Sequence, residues 1–287
     1  MEFFIDILLD ATIDTAKLIP FLFLTYLAME YLEKATGNKV ENWVAKSRTA
    51  GPVVGAFAGI LPQCGFSAAA ATLYSGRVIT LGTLIAVFLA TSDEMLPIFI
   101  AEQVDPVIVG KILLLKFFIG LTMGLFIDAG ARFISEKTDK RLHIHELCER
   151  EHCECEDGPL KSAIHHTINV AIFIFLVSLA LTAVVEGVGE DALTSFLMSN
   201  QALSIFAAGL VGLIPNCAAS VILVELYLQG ALSVGAMMGG LLVGAGVGLL
   251  VLFRSNRPLR NNLLITAVLF VIGVACGFII QFLGITL

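Results

Sequence analysis

Along the chain, apolar stretches long enough to cross a bilayer alternate with short polar segments. A helix needs about 20 apolar residues to traverse the hydrocarbon core. Six stretches reach that length: residues 12–33, 81–104, 107–131, 162–185, 232–253 and 262–284. Two others, 50–77 and 202–229, are broken near the middle by Pro62-Gln63-Cys64-Gly65 and by Pro215-Asn216-Cys217. Each of their halves is about 12 residues, or ~18 Å of helix, too short to span alone. The pattern predicts an all-α polytopic membrane protein, and composition agrees. Of 287 residues, 57% are hydrophobic and 14% charged, against about 45–50% and roughly 25% in soluble domains; the mean hydropathy is +0.92. A water-soluble globular enzyme is thereby excluded. With a net charge of −7, so is a chain that grips nucleic acid through a basic surface. Glu2, Asp6 and Asp10 stand where a signal peptide would carry its basic region, so none is expected.

The basic residues orient the spans. Lys34, Lys39, Lys46 and Arg48 share one segment between spans; Arg132, Lys137, Lys140, Arg141, Arg150 and Lys161 fall in or beside a second, and Arg254, Arg257 and Arg260 in a third. The segments around Glu102-Gln103-Val104-Asp105 and from Glu186 to Asp191 contain acids and no Lys or Arg. By the positive-inside rule the three basic segments are cytoplasmic and both termini lie outside. Residues 50–77 then return to the side they left, and so do 202–229. Both broken stretches are therefore expected to be re-entrant hairpins.

An offset of 153 superimposes the two halves, pairing Gly59 with Gly212, Pro62 with Pro215, Cys64 with Cys217, Ser67 with Ser220, Leu73-Tyr74 with Leu226-Tyr227 and Gly82 with Gly235; Gln63 meets Asn216. Each half reads as span, hairpin, span, span. Three crossings is an odd number, so the second half enters with opposite orientation: an inverted repeat, the architecture of many secondary transporters. The expected organisation is a first transmembrane repeat over 1–134, a cytoplasmic His/Cys-rich acidic loop over 135–160, and a second, inverted repeat over 161–287. Non-helical backbone cannot face lipid, so the breaks must be buried in protein or line a wet cavity.

The breaks supply the candidate substrate residues. Gln63 and Asn216 offer amides, and Cys64 and Cys217 offer soft thiols. An intramembrane Cys is most often a small hydrophobe, but two at equivalent positions, each after Pro and an amide, point to a ligand. Thr91-Ser92-Asp93-Glu94 interrupts another span near its centre. Carboxylates at that depth cost about 2.5–3.5 kcal/mol on insertion scales and normally mark an ion or proton path. Asp93 is therefore a candidate ligand or proton carrier, with Ser92 and Glu94 beside it. The equivalent Gly244-Ala245-Gly246 is uncharged and expected to be unwound. Glu225, in the outgoing arm of the second hairpin, is a further candidate. Lys111 and Lys116 are expected to snorkel or to pair with an acid, and Asp128 to lie near the cytoplasmic end of its span. Each hairpin tip presents a helix C-terminus and a helix N-terminus together, so the dipoles favour neither a cation nor an anion.

The central loop contains His143, His145, Cys148, His152, Cys153 and Cys155 among acids, and His165-His166 open the next span. Cytoplasmic thiols stay reduced, which favours metal binding, Zn²⁺ or a similar ion, over disulfides. The alternative is a solvated acidic linker.

The proline-amide-cysteine breaks, the Thr91-Ser92-Asp93-Glu94 segment and the His/Cys-rich loop before Lys161-Ser162-Ala163 and His166-Thr167 together resemble the ten-transmembrane heavy-metal exporters, a family variously labelled arsenic efflux proteins or manganese transporters. Six spans and four half-helices make ten hydrophobic helices. The resemblance implies a multi-pass inner-membrane protein that exports a metal cation or metalloid, manganese or arsenite first among the candidates. Carboxylates and amides alone would suit Mn²⁺, thiolates arsenite or softer ions. No G-x-x-x-x-G-K-[ST] segment is present, so a proton or ion gradient rather than ATP is the expected driver. The expected partners are lipid, the substrate and the coupling ion, with no resident cofactor. Two rivals stand beside this reading: a permease for a small organic or oxyanion substrate, in which the thiols only pack, and an intramembrane enzyme, for which the chain offers no nucleophile–base arrangement.

Overall fold

The structure, a computed structural model, describes residues 8, 12–13, 15–16, 18–20, 22–27, 50–61, 64–92, 95–134, 159–188, 201–257 and 259–284. Gln63, Asp93, Glu94 and the loop residues His143, His145, Cys148, His152, Cys153 and Cys155 lie outside these residues, and of Cys64 and Cys217 only the backbone is described. Every regular element among the described residues is a helix. In chain order these are α1 (Leu18–Leu27), α2 (Ala50–Ile60), α3 (Cys64–Ser75), α4 (Leu81–Ala90), α5 (Met95–Ala101), α6 (Pro106–Ile134), α7 (Pro159–Val188), α8 (Gln201–Gly212), α9 (Cys217–Leu228), α10 (Val234–Val243), α11 (Val247–Ser255) and α12 (Leu259–Phe282).

Helix boundaries follow the offset read from the sequence. Adding 153 to the ends of α3 and α4 gives the ends of α9 and α10, and adding it to the start of α6 gives the start of α12. Local chemistry accounts for these positions. Thr80 and Ser233 are the N-caps of α4 and α10, accepting from Thr83 N at 3.1 Å and Ala236 N at 3.2 Å, which satisfies a first-turn N–H at each end. Beyond α8 the chain tightens: Leu213 N donates to Gly209 O and Leu210 O, and Ile214 N to Val211 O, before Pro215 closes off the helical path.

Both breaks are shorter at their far side than the sequence suggested. Cys64 and Gly65 fall in the first turn of α3, and Cys217 opens α9. Asn216 occupies the preceding N-cap position, its carbonyl accepting from Ala219 N at 3.3 Å.

Among the described residues four segments have the length and hydropathy to cross a membrane: Leu81–Ala101, Pro106–Ala131, Val234–Ser255 and Leu259–Phe282. The first and third are the interrupted ones, and they are the buried ones, at 69% and 83%, against 28% and 39% for the other two. Burial of this kind allows the backbone to leave the helix without exposing polar groups to lipid. Around the pair stand α6 and α12, whose Phe118, Phe126, Leu263, Leu264 and Val271 face outward.

Small residues let these helices approach closely. A Cβ on Gly82 of α4 would fall 2.2 Å from the Gly124 carbonyl of α6, and one on Gly235 of α10 would fall 2.7 Å from the Gly277 carbonyl of α12. These contacts also stand 153 residues apart. The halves interlock: α4 packs on α10, α3 on α11 and α9 on α5. Where α3 meets α11, Gly248 lies against Ser67 and Phe88. The buried His166 of α7 stacks on Tyr26 of α1, ring centroids 5.1 Å apart, so it ties these two helices together; His165 is exposed.

Candidate functional site

A cavity of about 30 Å³ lies where three helix interruptions converge. Thr91 and Ser92 line it from the end of α4, Gly244 and Gly246 from the turn between α10 and α11, and Gly212, Ile214 and Asn216 from the turn between α8 and α9. Ser220 of α9, Met95 of α5 and Lys116 of α6 complete the polar and thioether lining. The space suits a water or two or a single small ion.

Each turn has a local cause. Gly244 closes α10, its N–H donating to Gly240 O at 2.9 Å. Gly246 then takes φ +52°, ψ −140° as the N-cap of α11, a conformation essentially confined to glycine. The unwinding expected at Gly244-Ala245-Gly246 is therefore present. On the other side Thr91 caps α4: its N–H reaches Phe88 O at 3.3 Å, its hydroxyl donates to Val87 O at 2.8 Å, and the Ser92 hydroxyl donates to Ala90 O at 3.0 Å. With their protons committed to backbone carbonyls, both hydroxyl oxygens keep lone pairs for an incoming cation.

Lys116 departs from one of the two expectations held for it. It does not snorkel: it is 1% exposed, and it stands ten residues into a 29-residue helix, about 15 Å from its start and so near mid-membrane. Its ammonium donates to Thr91 O at the end of α4 and, at 3.1 Å, to Leu241 O in the last turn of α10. Both carbonyls belong to helix C-termini, the negative ends of their dipoles, which gives the cation a favourable field. A charge in the middle of a long apolar helix was the available signal. The matching position in the second half is Leu269, so the charge comes from one half only. Lys111 is exposed.

Of the residues singled out from the sequence, Ser92 and Asn216 meet at this cavity. Asn216 is 7% exposed and Ser92 1%. Asp93 and Glu94 fall in sequence between two lining residues, Ser92 and Met95. Glu225 is exposed on α9 and is not part of the lining. Asp128 serves α4 instead: its carboxylate accepts from Thr80 Oγ1 at 2.6 Å and from Gly82 N at 2.8 Å. Among the described residues no three His, Cys, Asp or Glu gather as a metal cluster; the lining donors are hydroxyl, amide and carbonyl oxygens with one thioether.

Residues 1–192 match the family model described as "Putative, 10TM heavy-metal exporter". The chain belongs to this family. The match ends ahead of α8, so within the exporter family it covers the first half, the central loop and the start of the second half. No curated protein and no solved structure matches the chain. Membership and the apolar helices make it a multi-pass membrane protein of the heavy-metal exporters.

Proposed function

We propose that this exporter is a gradient-driven secondary transporter that moves a divalent metal cation by alternating access, with the cavity between the helix breaks as its transport site. The carrying observation is the convergence of interruptions from both halves on one small space, mostly apolar in its walls, into which Thr91, Ser92, Asn216 and Ser220 bring polar groups. Discontinuous helices of opposed halves meeting near the midplane are the usual way such carriers build a site. The helix boundaries and glycine contacts recurring at 153 support an inverted repeat, with 50–77 and 202–229 as re-entrant hairpins. The charge bias supports an inner-membrane orientation with both termini outside and the 135–160 loop cytoplasmic. Ser92 and Asn216, with Asp93 and Glu94, would contact the ion; Gln63, Cys64 and Cys217 would join from the hairpins; Glu225 is kept from this set by its exposure. Hydroxyl and amide donors favour a hard or borderline ion, Mn²⁺ ahead of arsenite. The size of the cavity weighs against the organic-substrate permease, and the same donors fit a carrier rather than an enzyme. The His/Cys loop would deliver or sense the metal.

Flux in proteoliposomes tests this, comparing Mn²⁺, Zn²⁺ and arsenite with and without a proton gradient. Saturable, gradient-dependent Mn²⁺ flux is the expected result. Arsenite flux that disappears in Cys64→Ala, Cys217→Ala would replace the cation by a metalloid. Movement of none of the three would overturn the proposal.

A further inference from the structure

We propose that Lys116 is a built-in surrogate cation: its ammonium holds the break carbonyls while the transport site is empty and yields when the metal ion binds. The inference rests on the cation-carrier reading above. It starts from where the ammonium sits. Lys116 reaches across from α6 to Thr91 O of the first half and Leu241 O of the second, 25 and 125 residues away in sequence. Thr91, Leu241 and Lys116 all line the cavity that a metal ion would enter.

A metal ion and the ammonium would compete for the same carbonyl oxygens within about 30 Å³, where their mutual repulsion is weakly screened. Ion binding must therefore move the ammonium off at least one carbonyl, which its four-carbon stem permits. Conversely, an empty site without it would turn two negative helix ends and any neighbouring carboxylate toward a small cavity within the protein, an expensive state to carry across a membrane. A carrier must return empty to complete net export, and Lys116 keeps that return step electrically compensated. It also ties the end of α4 to the end of α10, so the bond that must break on loading joins the two halves that must rearrange. Leu269 at the matching position means that one lysine, not two, does this.

The experiment separates net export from exchange. Wild type, Lys116→Met and Lys116→Arg are reconstituted, and Mn²⁺ is measured both as net flux into metal-free buffer and as exchange of labelled for unlabelled Mn²⁺. Exchange never requires the empty site to reorient. Lys116→Met is expected to lose net flux by about tenfold or more, the factor that each ~1.4 kcal/mol of added barrier brings. It should keep exchange and show a lower half-saturation concentration, because the internal competitor is gone. Lys116→Arg, which preserves the charge, should recover net flux. If Lys116→Met is not monodisperse, Lys116→Gln, which retains an N–H donor for the carbonyls without the charge, replaces it. Equal loss of net flux and exchange in folded protein, or no change in either, would overturn the inference while wild-type Mn²⁺ flux leaves the transporter reading intact. Absence of wild-type Mn²⁺ flux and exchange would overturn both.

Discussion

Removing the Asp128 carboxylate should destabilise the protein through a helix it does not belong to. Asp128, 7% exposed on α6, accepts from Thr80 Oγ1 and from the backbone N–H of Gly82. Gly82 N is one of the first-turn donors of α4 without an intrahelical acceptor, and Thr83 N is already served by Thr80. In Asp128→Ala the buried Gly82 N–H is stranded, at a cost of about 1–3 kcal/mol, and the negative charge at the α4 N-terminus is lost, at roughly 0.3–1 kcal/mol. Regained hydration of the carboxylate in the unfolded state no longer opposes folding, so about 2–3 kcal/mol net is expected. For a chain of this size ~1 kcal/mol moves Tm by about 2–4 °C, which puts the fall at roughly 4–12 °C. Asp128→Asn keeps an oxygen for Gly82 N and should lose about a third of that. Gln281, which sits beside Gly235 in the equivalent place, is uncharged, so Gln281→Ala should cost less than Asp128→Ala. Thermal unfolding of the detergent-solubilised protein by intrinsic fluorescence measures all three. An Asp128→Ala protein that melts with wild type, or an Asn variant as unstable as Ala, would refute the capping argument.

Other outcomes follow from the same contacts. Gly246→Ala places a Cβ where φ is +52° and should lower Tm by a strain of about 1–3 kcal/mol, with Gly244→Ala, whose φ is −66°, melting closer to wild type. Gly212→Val should abolish monodisperse protein on size exclusion, since even a Cβ there lies 2.2 Å from the Gly240 carbonyl, whereas Gly110→Ala, with nothing within 4 Å, should elute normally. Ser92→Ala and Asn216→Ala should raise the half-saturation concentration for Mn²⁺ by about tenfold for each ~1.4 kcal/mol of lost ligation; unchanged values in both would remove these residues from the site. Asp93→Asn should abolish gradient-coupled flux with little change in Tm, and full activity would dismiss its role.

Much of this molecule is written in local pattern. Apolar runs bounded by charge announce helices because only a closed backbone ladder survives in lipid. The proline and glycine breaks, and the capping Thr80 and Ser233, set helix ends through chemistry within a few residues of each. The register of 153 was legible because homologous breaks in both halves carry the same residue types, Pro62 and Pro215 or Cys64 and Cys217. What the linear pattern could not decide was which breaks meet. Asp93 and Glu94 drew attention as charges at depth, yet the described polar groups around the cavity include Lys116, a charge in a long apolar helix for which the sequence left snorkelling and pairing both open. Two of its partners lie 25 and 125 residues away, and only the crossing of α4, α6 and α10 brings their carbonyls within reach. Asp128 likewise read as a boundary charge until packing set it against the N-terminus of α4. Helix ends are local, but the field at a helix end belongs to whatever the fold places beside it, and that is a property of packing rather than of sequence spacing.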